Sequence, residues 1–150
     1  MKRIVLLPLA ALALGGGSPA PSAATGSTVT VTVTSLRNSE GLVRACMMSS
    51  EKSFPKCDNV DKALTANVSA KTGSLTFTFK NVKPGRYAIA LLHDENANGK
   101  ADRVLGMMPK EGFGFSRDAP VRMGPPKFSE AVFDMGAEDQ AMTIKMRYLL

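Results

Sequence analysis

The chain has 150 residues, of which 44% are hydrophobic and 21% are charged, and it carries a formal net charge of +6. That length accommodates one domain with a real core and excludes two. The basic residues are scattered, without a run of four or interleaved aromatic residues, so the charge does not indicate a nucleic-acid-binding protein.

The N-terminus has the pattern of a secretory signal peptide. Lys2 and Arg3 precede an apolar run from Ile4 to Leu14, and small residues follow as far as Ala24. The run is shorter than the roughly 20 residues that a membrane span needs, and no later run is long enough either. We therefore predict a signal peptide over residues 1–24, a domain over residues 25–150, and a secreted or periplasmic product. Cleavage would take Lys2 and Arg3 with it and lower the formal charge from +6 to +4.

Cys46 and Cys57 are the two cysteines of the chain. In an oxidising compartment pairing is the default, and we predict a disulfide between them. A metal site or a reactive thiol is the alternative, but the one histidine lies far along the chain, which makes a poor zinc set.

Alternating apolar residues predict most of the strands. Residues 28–34 read Thr-Val-Thr-Val-Thr-Val-Thr, a half-buried strand, and residues 42–48 and 75–79 repeat the period of two. Residues 62–71 keep that period too, although residues 62–66 could form a helical turn instead. Residues 86–92 are apolar on both faces, which predicts a strand in the middle of a sheet and covered on both sides.

The last third of the chain combines strands with a long segment rich in glycine and proline. We predict an irregular segment over residues 109–127, a strand within residues 128–135, and a final strand over residues 142–148. About seven short strands without a long helical period predict an all-β fold, a single antiparallel β-sandwich of the immunoglobulin-like or transthyretin-like kind.

A polar loop follows the strand that is apolar on both faces. Residues 94–102, called the polar loop below, have the order of oxygen ligands found in calcium loops, with a glycine at the sixth position. The predicted ligands are Asp94, Asn96, Asn98, the Lys100 carbonyl and Asp102. Affinity would be weak, about 10⁻⁴ to 10⁻³ M, as in extracellular modules.

The calcium pattern breaks at the twelfth position, where Leu105 replaces the usual glutamate. Glu111 or Asp118 could supply the missing carboxylate by folding back over Asp94. The alternative is a plain turn, in which Asn and Asp side chains bond to their own backbone and Gly99 adopts a positive φ.

Copper is a second metal hypothesis. His93 and the many methionines, including the pairs at residues 47–48 and 107–108, are ligand types that copper(I) selects. Methionines at alternating strand positions are also ordinary core residues, and a single histidine is commonly structural. No nucleophile and base are paired by a recognisable spacing, so we expect no enzyme.

The polar loop and the segment that follows it resemble a known family. His93-Asp94-Glu95-Asn96-Ala97-Asn98-Gly99-Lys100-Ala101-Asp102, Leu105-Gly106 and Pro109-Lys110-Glu111-Gly112-Phe113-Gly114-Phe115-Ser116 are similar to the signature of DUF2141, a family of exported bacterial proteins. The resemblance implies a small secreted β-sandwich of uncharacterised function, without established catalytic residues. It also suggests that the Gly-Phe-Gly-Phe stretch lies beside the polar loop.

These observations predict a non-enzymatic binding or structural module. Its interaction site would be the loop end formed by residues 94–102 and 109–118, which would bind an unknown protein or small molecule. His93, Phe113 and Phe115 could contribute to that surface, although the favoured alternative is that the two phenylalanines fill the core.

Overall fold

The computed structural model describes residues 26–57, 62–106 and 108–150, so the predicted signal peptide lies outside the described residues. The strands are β1 (Ser27–Leu36), β2 (Leu42–Met48), β3 (Leu64–Ser69), β4 (Gly73–Val82), β5 (Gly85–Asp94), β6 (Arg103–Val104), β7 (Met108–Pro109), β8 (Gly112–Phe115), β9 (Phe133–Met135) and β10 (Gln140–Lys145). One short helix, α1 (Phe128–Ala131), and a 3₁₀ turn over Ser116–Asp118 complete the described elements. The predicted all-β class is confirmed. Within these residues no helix has the length and apolar character to cross a membrane.

Two larger sheets and one small hairpin contain these strands. The first sheet has the order β10-β1-β4, and the second has the order β3-β2-β5-β8, with β9 pairing with the start of β5. The hairpin is formed by β6 and β7. Pairing is antiparallel throughout these sheets except between β1 and β10, which run parallel, a departure from the purely antiparallel arrangement predicted.

Side chains of both larger sheets fill one main core. The alternation in β1 buries Val29, Val31 and Val33 completely, while the intervening threonines face outward. Residues of β2, β4, β5 and β10 join the same cluster. Burial of each valine stabilises the fold by about 1.5 kcal/mol, which explains why this alternation specifies both the strand and its face.

Strand β5 is covered on both faces, as its two apolar faces predicted. Ile89 and Leu91 pack into the main core. Ala88, on the other face, belongs to a second core with Phe113, Phe115 and residues of α1. The strand that leads into the polar loop is therefore fixed from both sides.

The Gly-Phe-Gly-Phe stretch is more regular than predicted. Residues 112–115 form β8, which pairs with β5 over Ala90–His93. A Cβ on Gly112 would collide with the Tyr148 ring, and one on Gly114 would lie 3.0 Å from Ile144. Glycine is therefore needed at both positions because atoms of Tyr148 and Ile144 approach closely. Strand β8 occupies part of the segment that was predicted to be irregular.

The strand predicted within residues 128–135 is only half correct. The Glu130 carboxylate accepts a hydrogen bond from the Lys127 backbone N–H at 2.7 Å, which caps a single helical turn. Residues 128–131 therefore form α1, and only residues 133–135 form a strand.

The predicted disulfide between Cys46 and Cys57 is confirmed, with the two Cα atoms 6.1 Å apart. Cys46 lies on β2 with its side chain on the face opposite Ala45 and Met47, so the bridge ties the loop after β2 to the sheet.

Candidate functional site

The polar loop is built around the buried carboxylate of Asp94, the last residue of β5. Asp94 has no exposed surface. Its Oδ1 accepts the Asn98 N–H at 3.0 Å, and its Oδ2 accepts the Gly99 N–H at 2.8 Å and the Arg44 Nε–H at 2.5 Å. The loop therefore winds around one side chain that the central strand positions.

These partners keep Asp94 ionised. Burial by itself would raise the pKa of Asp94, but the hydrogen bond from Arg44 and those from the Gly99 and Asn98 N–H groups outweigh it, and the pKa is lowered. A buried carboxylate with three charge-assisted donors is a strong local anchor.

Asn96 and Asn98 close the loop, because each side chain both accepts and donates hydrogen bonds within it. Their amide oxygens accept backbone N–H groups two residues further on, from Asn98 to Asn96 at 3.1 Å and from Lys100 to Asn98 at 2.8 Å. Their Nδ2 groups donate to the Asp102 carboxylate at 2.7 to 3.1 Å. Gly99 has a φ of +80°, the positive value expected for this turn. These contacts are those of a self-bonded Asx turn.

Glu111 reaches back to the polar loop, as one of the two predicted alternatives requires. Its Oε1 accepts the Glu95 N–H and its Oε2 accepts the Asp102 N–H, both at 3.1 Å. The carboxylate thus bridges the start and the end of the loop. Burial and the nearby charges of Asp102 and Asp94 raise the pKa of Glu111, although the two N–H donors oppose them.

Asp118 lies elsewhere. Its Oδ1 accepts the Lys145 N–H at 2.8 Å and is 3.7 Å from Arg147 Nη1. It supports β10 and is not among the residues that bond the polar loop.

Arg37 forms a second anchor that the sequence did not reveal. Its Nε and Nη2 donate to the two oxygens of Glu95 at 2.8 and 2.5 Å, and Asn38 donates to the same carboxylate at 2.6 Å. The hydrogen bonds from Arg37 hold the pKa of Glu95 at about 2. The guanidinium also lies 4.5 Å from the centre of the Tyr148 ring. No local spacing could indicate this pair, because 58 positions separate its members.

His93 has no exposed surface, and both of its ring nitrogens are within hydrogen-bond distance of a partner. Nδ1 is 2.7 Å from the Tyr148 hydroxyl, and Nε2 is 2.9 Å from the Glu40 carbonyl oxygen. Met47 and Met146, two methionines of the copper hypothesis, are buried in the main core. Copper binding through one ring nitrogen of His93 would require the contact of that nitrogen to be broken.

Phe113 and Phe115 also lie in the interior, with exposed fractions of 9% and 6%. Phe115 packs edge-on against Phe54 at 5.8 Å between ring centroids. Together with His93, these residues support the loop end from below and do not form its outer surface.

A hairpin extends the polar loop outward. The Asp102 carbonyl accepts the Lys110 N–H at 2.9 Å, which joins the base of the β6–β7 hairpin. Beyond this base Val104, Leu105 and Met108 are exposed, Leu105 by 93%. The loop end thus presents an apolar projection above a hydrogen-bonded base.

The donor set available to a metal consists of oxygens that already accept hydrogen bonds. In the described ranges 26–57, 62–106 and 108–150, no three histidine, cysteine, aspartate or glutamate side chains are arranged to hold a metal ion. Asp94, Asp102 and Glu111 do approach the same loop. Each of these carboxylates has further lone pairs that could face calcium beside the N–H groups and amides that it accepts.

Comparison with known proteins returned a single kind of match. No curated protein and no solved structure matches the chain. A family model described as an uncharacterized protein conserved in bacteria, DUF2141, matches residues 31–144, which include both anchors of the polar loop. The chain therefore belongs to the DUF2141 family.

Proposed function

We propose that this chain is an exported, non-enzymatic binding module whose loop end, residues 94–102 with the hairpin above them, is the interaction surface. One observation carries the proposal: an exposed loop is held in a fixed shape by two buried carboxylates, Asp94 and Glu111. Charged groups are costly to bury, and a loop ordered in this way loses little entropy when it binds. The disulfide between Cys46 and Cys57 supports a secreted or periplasmic location.

Site-specific photo-cross-linking in cells tests this proposal. A photoreactive residue is placed at exposed Lys100 in the polar loop, and in a matched variant at exposed Thr143 on the outer face of the first sheet. We expect a discrete adduct, identified by mass spectrometry, from position 100 and none from position 143. Adducts from position 143 alone would contradict the proposal.

Calcium binding in the polar loop is a second candidate, and the position of Glu111 favours it. Glu111 supplies the carboxylate that the sequence pattern lacks at its twelfth position. Bound calcium would also favour the ionised form of a carboxyl whose pKa is raised by burial and by neighbouring acids. The predicted ligands remain Asp94, Asn96, Asn98, the Lys100 carbonyl and Asp102, with Glu111 added.

A melting curve in millimolar calcium and in chelator tests this candidate. Calcium should raise the melting temperature, because a ligand that binds only the folded state stabilises it. The Glu111→Gln variant should lose the calcium-dependent increase. An unchanged melting temperature of the parent chain would exclude calcium binding in the polar loop. Anaerobic titration with copper(I) tests the copper hypothesis separately.

A further inference from the structure

The hairpin above the polar loop carries an apolar surface that the fold does not use. Strands β6 and β7 pair only with each other among the described strands. The side chains at their end are exposed by 40% for Val104, 93% for Leu105 and 46% for Met108. We call these three residues the hairpin tip. The hairpin pairs with neither main sheet, and its three apolar side chains belong to neither core.

The backbone at Leu105 has a conformation that suits a turn but is unfavourable for leucine. Leu105 has a φ of +53°, in the left-handed region that favours glycine and asparagine. A large apolar side chain there is strained and also exposed to water. Contact with an apolar surface outside this chain would remove the side chain from water, whereas the backbone strain would stay.

Cations surround the base of the hairpin tip. Arg103 precedes Val104 and is paired with Pro109, which places it across the hairpin from the segment leading to exposed Lys110. Lys100 is exposed on the adjoining loop. None of these three side chains takes part in an ion pair within the described part of the chain.

The acidic residues of the same segment are hydrogen-bonded to the polar loop. The carboxylate of Asp102 accepts the amides of Asn96 and Asn98, and the buried Glu111 carboxylate accepts two backbone N–H groups of the loop. Asp102 is half-buried and Glu111 is buried, whereas Lys100, Arg103 and Lys110 are exposed. The outer charge of the hairpin is positive.

We propose that the hairpin tip binds an anionic lipid surface, an inference that rests on the proposed function of the loop end. Apolar side chains at a protruding end fit the acyl boundary, and long cationic side chains one step behind them reach the phosphate groups. An acidic protein partner would need a pocket shaped for a narrow hairpin. A bilayer accepts such a projection without a complementary shape.

Vesicle co-sedimentation of the purified exported protein tests this inference. We expect binding to vesicles of phosphatidylcholine mixed with phosphatidylglycerol, weaker binding at high salt, and little binding to phosphatidylcholine alone. Leu105→Asn should reduce the binding constant roughly tenfold, because the leucine no longer enters the apolar layer. Asparagine tolerates the left-handed conformation, so the melting temperature should stay the same or rise.

Matched variants separate the tip from the rest of the surface. Met123→Asn replaces another fully exposed apolar residue outside the tip and should leave binding unchanged. Arg103→Gln and Lys110→Gln should each weaken binding about fivefold, whereas Lys83→Gln should not, because exposed Lys83 precedes β5 and so lies at the other end of this strand from the polar loop.

Two results would overturn the lipid inference. One is an absence of binding to the anionic vesicles, and the other is equal binding by the parent chain and the Leu105→Asn variant. If the protein does not bind the anionic vesicles while the cross-linker at position 100 captures a protein, the lipid inference is wrong. The loop end then remains the proposed interaction surface. If both fail, the proposed function falls as well.

Discussion

At the scale of single residues, Asp94 and Arg44 form the contact on which the polar loop depends. The Asp94 carboxylate is fully buried, while the Arg44 side chain is 31% exposed. Removing one partner of a buried pair leaves an uncompensated charge, which typically costs about 3 to 5 kcal/mol when both partners are buried. The partial exposure of Arg44 places the expected cost below that range.

We predict that Arg44→Met lowers the free energy of unfolding by about 2 kcal/mol, since methionine keeps the apolar stem but leaves the Asp94 charge without its cation. Urea denaturation measures the change. The control is Arg86→Met, because the Arg86–Asp134 pair is 3.6 Å apart and both side chains are mostly exposed. That control should change stability by less than about 0.5 kcal/mol. Equal losses of unfolding free energy in the two variants would show that the buried pair stabilises the fold no more than the exposed pair does.

The Glu95 carboxyl gives the folded protein a defined response to acid. Its pKa is about 2 in the fold, against an ordinary value of 4.5, because Arg37 donates to it. Its stabilising contribution is therefore complete above pH 4.5 and is lost as the pH falls towards 2. Glu111 acts in the opposite direction, because its raised pKa makes protonation of the folded state easier.

Comparing Glu95→Gln with the parent chain isolates the first effect. We predict that the parent loses stability relative to this variant as the pH is lowered from 4.5 to 2, measured by urea unfolding at each pH. Glu138→Gln is the control, because Glu138 is exposed and joins no ion pair among the described residues. A constant difference between the parent and Glu95→Gln across that range would refute the assignment.

At the scale of elements, the connection between β1 and β2 supports the polar loop through Gly41. Gly41 has a φ of +64°, and a Cβ there would collide with the Asp94 carbonyl oxygen and the Glu95 backbone. Gly73, the first residue of β4, has a φ of +89° and nothing within 4 Å of the same position. The two glycines thus share a positive φ but differ in their surroundings.

We predict that Gly73→Ala costs about 1 kcal/mol, the ordinary penalty for alanine at a positive φ, and that Gly41→Ala costs at least about 3 kcal/mol because backbone atoms must also move. Chemical denaturation of the two variants gives the comparison. Equal costs would mean that β1–β2 and the polar loop are not packed as closely as the structure shows.

Elements whose local pattern fits one structure were predictable, whereas those with an ambiguous local pattern or with distant contacts were not. Alternating valines predict β1 because their burial depends only on the period of two. The turn over residues 128–131 depends on Glu130 capping its own helix, and the same residues also satisfy a strand pattern. The apolar residues on both sides of β5 predict two packed faces but not that β8 and β9 pair with its different halves.

The candidate site follows the same division. The acidic and amide residues of the polar loop were visible as a motif, and Glu111 was one of two predicted carboxylates that could return to it. The Arg37–Glu95 pair and the Arg44–Asp94 pair were invisible, because strand pairing brings together residues 58 and 50 positions apart. A sequence motif shows which residues one segment contains, whereas the residues that pack against this segment depend on how the strands pair.

At the scale of the whole molecule, the disulfide is the one covalent constraint between the described elements and the loop after β2. Cross-linking a loop of this length stabilises a protein by about 3 kcal/mol in the chain-entropy description. We predict that Cys46→Ala combined with Cys57→Ala lowers the free energy of unfolding by that amount, measured in urea. Reduction of the parent chain should give the same loss, and an unchanged midpoint would contradict the prediction.

Most of the proposed binding surface is expected to be ordered before any partner arrives, and amide hydrogen exchange tests this most directly. Asn98 and Gly99 are exposed, yet their N–H groups bond to Asp94, while the N–H groups of Glu95 and Asp102 bond to Glu111. We predict that all four amides exchange slowly in the unliganded protein, and that Asn98 and Gly99 lose protection in Asp94→Ala. Exchange of these amides at the rate of an unstructured peptide would contradict a preformed loop end.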